Sequence, residues 1–250
     1  MNELAGQDDQ RPYVRPEASD GVAFDRLYAE AVPLIEHGRH QRDRPPIEGG
    51  RWPVSVVLRP DPDLAQRLEQ AMAEVEGLAG RRHFRTGIAE SVHFTVRVLE
   101  GYREAAGEKD EVVQRYAQAV GRAARQVDTV ELDLVGLTLT PGTVMACAHP
   151  VDDRADIFMD LLTDELGDDA WYAAGFRRDI WYANILHFAA EIAQPVALVE
   201  WVAQRRDLDL GSVVIDTAEL VRFRYEDGEQ GRLMRPEVLA SVRLGSSHDC

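Results

Sequence analysis

The stretch Ser91-Val92-His93-Phe94-Thr95-Val96-Arg97-Val98-Leu99-Glu100 decides how this chain is read. Its residues alternate in character, so on a regular strand His93, Thr95 and Arg97 face one side and Phe94, Val96 and Val98 the other. One face suits a core, while the other carries an imidazole, a hydroxyl and a guanidinium. A second stretch, Asn184-Ile185-Leu186-His187-Phe188-Ala189-Ala190-Glu191, repeats the arrangement, with His187 and Glu191 on one side and Leu186 and Phe188 on the other. Trp181 shares the parity of His187.

Outward from these stretches the periodicity predicts a repeated order of elements. Residues 53–59 read as a strand, and Asp61-Pro62-Asp63 caps a helix over 64–78 whose Leu64, Leu68, Met72 and Val75 share a face. The first histidine strand follows, then a helix over 112–127, a strand over 129–139 and, past the Pro141-Gly142 turn, a strand over 143–149. The order then recurs: a helix from Asp152 or Asp153 to about 166, the second histidine strand near 182–191, a helix over 195–206, and strands over 212–225 and 237–244. The spacing therefore predicts a duplicated α+β domain over residues 51–250, with halves of about 51–140 and 141–245 facing each other across a cleft. Before it, residues 1–50 divide into a polar tail to about residue 20, a helix over 22–37 that Pro33 bends, and an Arg-, Pro- and Gly-rich linker over 38–50.

Composition bounds the function. The chain has 250 residues, 45% hydrophobic and 29% charged, an ordinary balance for a folded domain. Its 44 acidic against 28 basic residues give a net charge of −16. That excess opposes duplex DNA and anionic membrane but leaves room for a small anion in a local basic pocket. No basic-then-apolar leader and no membrane-length apolar run occurs, so the expected location is cytoplasmic. Two cysteines, Cys147 and Cys250, supply neither a disulfide framework nor a zinc site. His93 and His187 lack metal-ligand spacing, and no Gly-x-Ser-x-Gly elbow or Gly-rich phosphate loop is present. No metal or cofactor is expected.

The paired motifs His93-Phe94-Thr95 and His187-Phe188-Ala189 resemble those of the two-histidine (2H) phosphoesterase superfamily, which includes the RNA 2′,3′-cyclic phosphodiesterases also called 2′-5′ RNA ligases. The likeness extends from about Arg51 to Leu244. It implies a bilobal α+β fold, with two antiparallel sheets facing across a central cleft and helices outside. It also implies His93 and His187 as a general acid–base pair, in either order, and Thr95 as a hydrogen-bond donor to phosphate. Ala189 departs from the family pattern, because a hydroxyl belongs there and alanine has no donor. Arg97 could contact phosphate, Glu191 could orient an imidazole, and Trp181 could stack on a base.

The function expected is hydrolysis of a cyclic phosphate on a small nucleotide or short RNA end. Two alternatives follow from Ala189 and from the reuse of folds: an impaired module that binds nucleotides or RNA ends without turnover, and a 2H fold turned to another metabolite. Oligomeric state is not read from the sequence.

Overall fold

The computed structural model describes residues 19–245, apart from positions 176 and 230. The tail expected before residue 20 lies outside the described residues, except that its last two positions already belong to the first helix. Cys250 also lies outside them. The first helix, α1, spans Ser19–Glu36 and carries Pro33 in its last turn. Strand β1 (Val54–Leu58) is buried along its whole length. Helix α2 (Pro62–Ala79) begins where Asp61 accepts a hydrogen bond from the Leu64 amide at 2.7 Å, and Pro62 opens it without losing a needed donor. Its predicted apolar face, Leu64, Leu68, Met72 and Val75, is fully buried.

The short strand β2 (Phe84–Arg85) precedes β3 (Phe94–Glu100), and Asp110 caps α3 (Glu111–Ala124) through the Val112 amide. Then come β4 (Val130–Leu139), β5 (Thr143–Pro150), α4 (Arg154–Leu166) and a 3-10 helix, Gly167–Ala173. The chain finishes with β6 (Trp181–His187), α5 (Pro195–Ala203), β7 (Asp209–Ile215), β8 (Thr217–Gly228) and β9 (Gly231–Arg243).

The α+β class holds, and the strands join in one nine-stranded sheet ordered β2-β9-β8-β1-β3-β6-β5-β4-β7. Two four-stranded antiparallel groups, β9-β8-β1-β3 and β6-β5-β4-β7, meet in the middle through a single β3–β6 pair, Phe94 with Ala183. So thin a junction lets the groups diverge. Strand β2 bridges them on the other side, antiparallel to β6 and parallel to β9, and closes a ring of six strands. The groups interleave along the chain: β8 and β9 join β1 and β3, whereas β4 joins β5 and β6. Helices α1, α2 and α5 pack on the β6-side strands, α3 and the 3-10 helix on the β3 side, and α4 touches both β4 and β3.

The main core lies between helices and sheet. A smaller apolar cluster of Trp52, Val57, Phe84, Val221, Phe223 and Met234 draws on β1, β2, β8 and β9 of the closed ring. Both histidines are in contact with it: Phe223 lies 5.0 Å from the His93 ring and Trp52 lies 4.8 Å from the His187 ring, centroid to centroid.

Candidate active site

His93 stands immediately before β3, after a turn that the protein fixes from two sides. Arg59 donates to the carbonyls of Val92 at 3.1 Å and Glu90 at 2.5 Å, and the Ser91 hydroxyl donates to the Met234 carbonyl at 2.6 Å. The Ser91 carbonyl in turn accepts a hydrogen bond from His93 Nδ1 at 2.7 Å. That bond fixes the tautomer, leaving Nε2 with its lone pair. His187 ends β6, and its Nδ1 lies 3.2 Å from the hydroxyl of the buried Thr86. A hydroxyl both donates and accepts, so Thr86 supports either protonation state of that ring.

Both imidazoles line one cavity of about 310 Å³, together with Thr95. Burial pushes the His93 pKa down to about 4, with the charges of Arg59 and Arg178 adding to the fall against the opposing Ser91 bond. It pushes His187 down to about 3, helped by Arg51 and by His93 itself. Both rings are therefore neutral at pH 7 until an anion arrives to favour the charged form.

The other three sequence candidates are placed elsewhere. Arg97 faces away from the cavity: β1 pairs Val57 with Thr95 but Val56 with Arg97, so Val96 is an extra residue and the alternation shifts by one. Its guanidinium is buried against α4 and the 3-10 helix, donating to Thr163 Oγ1 at 2.9 Å and to the carbonyls of Ala170 and Ala173 at 3.1 Å. Trp181 is removed by the same device in β6, where Val144 pairs with Leu186 and Met145 with Asn184, so that Ile185 bulges. Trp181 is fully buried and its indole donates to Asp156 at 3.1 Å. Glu191 lies beyond the end of β6, with an exposed side chain paired to Arg42 at 2.8 Å.

The two bulges deliver a different set of residues to the cavity. Val98 takes the place of Arg97 beside Thr95, and Tyr182 and Asn184 take the place of Trp181 beside His187. Arg178 lines the same wall, its guanidinium carbon 5.1 Å from the centre of the Tyr182 ring. Tyr172 from the 3-10 helix and Arg51 and Trp52 from the segment before β1 complete it. The cavity thus gathers two arginines in a strongly acidic protein. Parity along an assumed regular strand could not find Tyr182 or Asn184. Only the Arg51-Trp52 pair, a cation beside a large ring, carried any local signal.

His83, just before β2, is not among the residues that line the cavity. That ring is buried, with Nε2 donating to the Ala79 carbonyl at 3.0 Å and Nδ1 accepting from the Ala189 amide at 3.1 Å, and burial lowers its pKa. His83 therefore anchors the backbone of the second motif. Among the described residues, no three His, Cys, Asp or Glu side chains form a metal-ligand cluster, and no helix is long and apolar enough to cross a membrane.

No family model matches the sequence, and no curated protein matches it in sequence. Solved structures do match. TT0787 of Thermus thermophilus is similar at a TM-score of 0.54 and 17% identity, covering 78% of this chain and 99% of its own. A protein described as a phosphoesterase is similar at 0.55 and 13%, with the same coverage. E. coli LigT complexed with ATP is similar at 0.53 and 12%, covering 77% of this chain and 98% of its own. LigT has also been solved with 3′-AMP, NADP+ and phosphate. At these identities the likeness is one of fold alone: this chain shares the fold of TT0787 and LigT.

Proposed function

We propose that the protein is a metal-independent phosphodiesterase that opens a cyclic phosphate on a small nucleotide or a short RNA end. The observation that carries this reading is the convergence of His93, His187 and Thr95 on one cavity, with Arg51 and Arg178 beside them. In the reaction, one of the two imidazoles accepts a proton from water as the water oxygen bonds to phosphorus. The bond from phosphorus to one ribose oxygen breaks, and the other imidazole, in its protonated form, gives a proton to that oxygen. The product is a phosphate monoester, and solvent exchange resets the two rings.

Both imidazoles start neutral in the free protein, so the charge of the bound anion must raise the pKa of the acid, which then takes its proton from solvent. The binding of ATP, 3′-AMP and phosphate by LigT supports a nucleotide phosphate as the ligand class here. The cavity of about 310 Å³ and the net charge of −16 favour a small or terminal substrate over long RNA.

Purified protein should hydrolyse a 2′,3′-cyclic nucleotide in EDTA with a bell-shaped pH profile. His93→Ala and His187→Ala should each lower kcat by about 10²- to 10⁴-fold. Activity untouched by both changes would end this reading. Ala189 favours a second one, a nucleotide-binding module without turnover: its side chain packs against the apolar cluster under the cavity and offers no donor. Calorimetry showing 3′-AMP binding with no hydrolysis of any cyclic nucleotide would select it.

A further inference from the structure

The 2H reading leaves a gap at Ala189, and a neighbouring segment lies against that gap. The chain between α1 and β1, predicted as a linker, is bonded to the second motif on both sides of Ala189. The Asp43 amide donates to the Phe188 carbonyl at 2.7 Å, and His40 Nε2 donates to the Ala190 carbonyl at 2.8 Å. The segment then crosses to the chain just beyond β3, where Gly49 N–H donates to the Tyr102 carbonyl at 2.8 Å and Tyr102 N–H to the Gly50 carbonyl at 3.0 Å. Asp43 also holds Arg51 in an ion pair of 3.0 Å. The segment is therefore a strap, tied to both groups of strands, and Trp52 is the residue it inserts between them.

Trp52 carries two unfavourable features at once. Its backbone sits in the left-handed region at φ +67°, the one described residue other than glycine to do so. Its indole Nε1 is buried without a hydrogen-bond acceptor among the described residues, although the side chain is only 8% exposed. Strained backbone and an orphan donor both persist in folded proteins chiefly where function requires them. Here they coincide on a ring that lines the cavity, lies 4.8 Å from His187 and shares an apolar cluster with Ala189.

We infer that Trp52 replaces the missing hydroxyl of the second motif, its indole N–H donating to a nonbridging oxygen of the bound phosphate, with the strap over residues 38–52 holding it there. The inference rests on the phosphodiester reading for its kinetic consequence but not for its binding consequence. A donor whose bond to the phosphate is present on binding and strengthens as charge develops acts mainly on kcat.

The test pairs kinetics with spectroscopy. Trp52→Phe keeps a ring and removes the N–H; kcat on a 2′,3′-cyclic nucleotide should fall about 10²- to 10³-fold with KM little changed. In the double variant Trp52→Phe, Ala189→Thr, the restored hydroxyl should recover at least about tenfold, which a purely structural role for the indole would not allow. In the ¹H–¹⁵N spectrum of the wild-type protein, the assigned Trp52 indole signal should move downfield on addition of inorganic phosphate. A signal that stays put overturns the inference, as does a fully active Trp52→Phe, and in either case hydrolysis by the wild type leaves the phosphodiesterase reading standing. A wild-type protein that hydrolyses nothing sinks that reading instead, and the phosphate titration then decides the indole's role alone. It also decides alone if Trp52→Phe fails to fold.

Discussion

Thr95 and Arg97, two positions apart on β3, face opposite sides of the sheet, because Val96 is an extra residue between the pairs Val57–Thr95 and Val56–Arg97. Arg97 consequently serves the scaffold. Its three hydrogen bonds tie β3 to α4 and to the 3-10 helix that carries Tyr172. Arg97→Ala should lower the unfolding free energy by about 2–4 kcal/mol, because buried carbonyls lose a charged donor. Urea titration measures the loss, and kcat should stay within a few fold of wild type.

The two depressed histidines make stability depend on pH. Their folded pKa values, about 4 for His93 and about 3 for His187, lie below the ordinary value of 6.5. Their contribution is whole above pH 6.5 and is lost as the pH falls towards 4 and then 3, because the unfolded chain binds protons that the native protein refuses. The slope reaches about 1.4 kcal/mol per pH unit for each ring. Asp43, Glu100 and Glu219, whose carboxyls burial raises, work in the opposite direction. The histidine part is isolated by comparison with His93→Gln and His187→Gln: urea midpoints at pH 7 and pH 4.5 should differ less in each variant than in the wild type.

Arg178 links the cavity wall to His93. Its charge helps to hold the His93 pKa down. Arg178→Gln should therefore raise the His93 pKa, read from ring-proton chemical shifts against pH. The same change removes a cation from the cavity and should raise KM for a cyclic nucleotide about tenfold. An unchanged His93 titration would show that the guanidinium does not act on that ring.

Gly136 in β4 tests the fold apart from the site. It sits at φ +85°, and a Cβ there would lie 1.8 Å from the Arg206 carbonyl oxygen. Gly136→Ala combines a left-handed backbone with a main-chain clash and should cost about 3 kcal/mol or more. Thermal unfolding would record it as a lower Tm, with the His93 ring still titrating as in the wild type.

The two histidines, the hydroxyl at Thr95, the α+β order of elements and the capped face of α2 could all be read from the chain, because each rests on neighbours in sequence: alternation along a strand, helical spacing, a capping aspartate. The placement of Arg97, Trp181, Tyr182 and Asn184 could not. A bulge is defined by the partner strand, and nothing local marks Val96 or Ile185 as the residue left over. The same holds for the segment over residues 38–52. Its Pro, Gly and Arg content reads as a linker, yet its backbone groups bond to Phe188 and Tyr102 and its His40 ring to Ala190, far away in sequence. Sequence by itself determined where along the chain the two histidines and Thr95 fall relative to the predicted strands. Tertiary structure decided which side chains share the cavity, because hydrogen bonding between distant strands sets the register, and register sets the direction in which each side chain points.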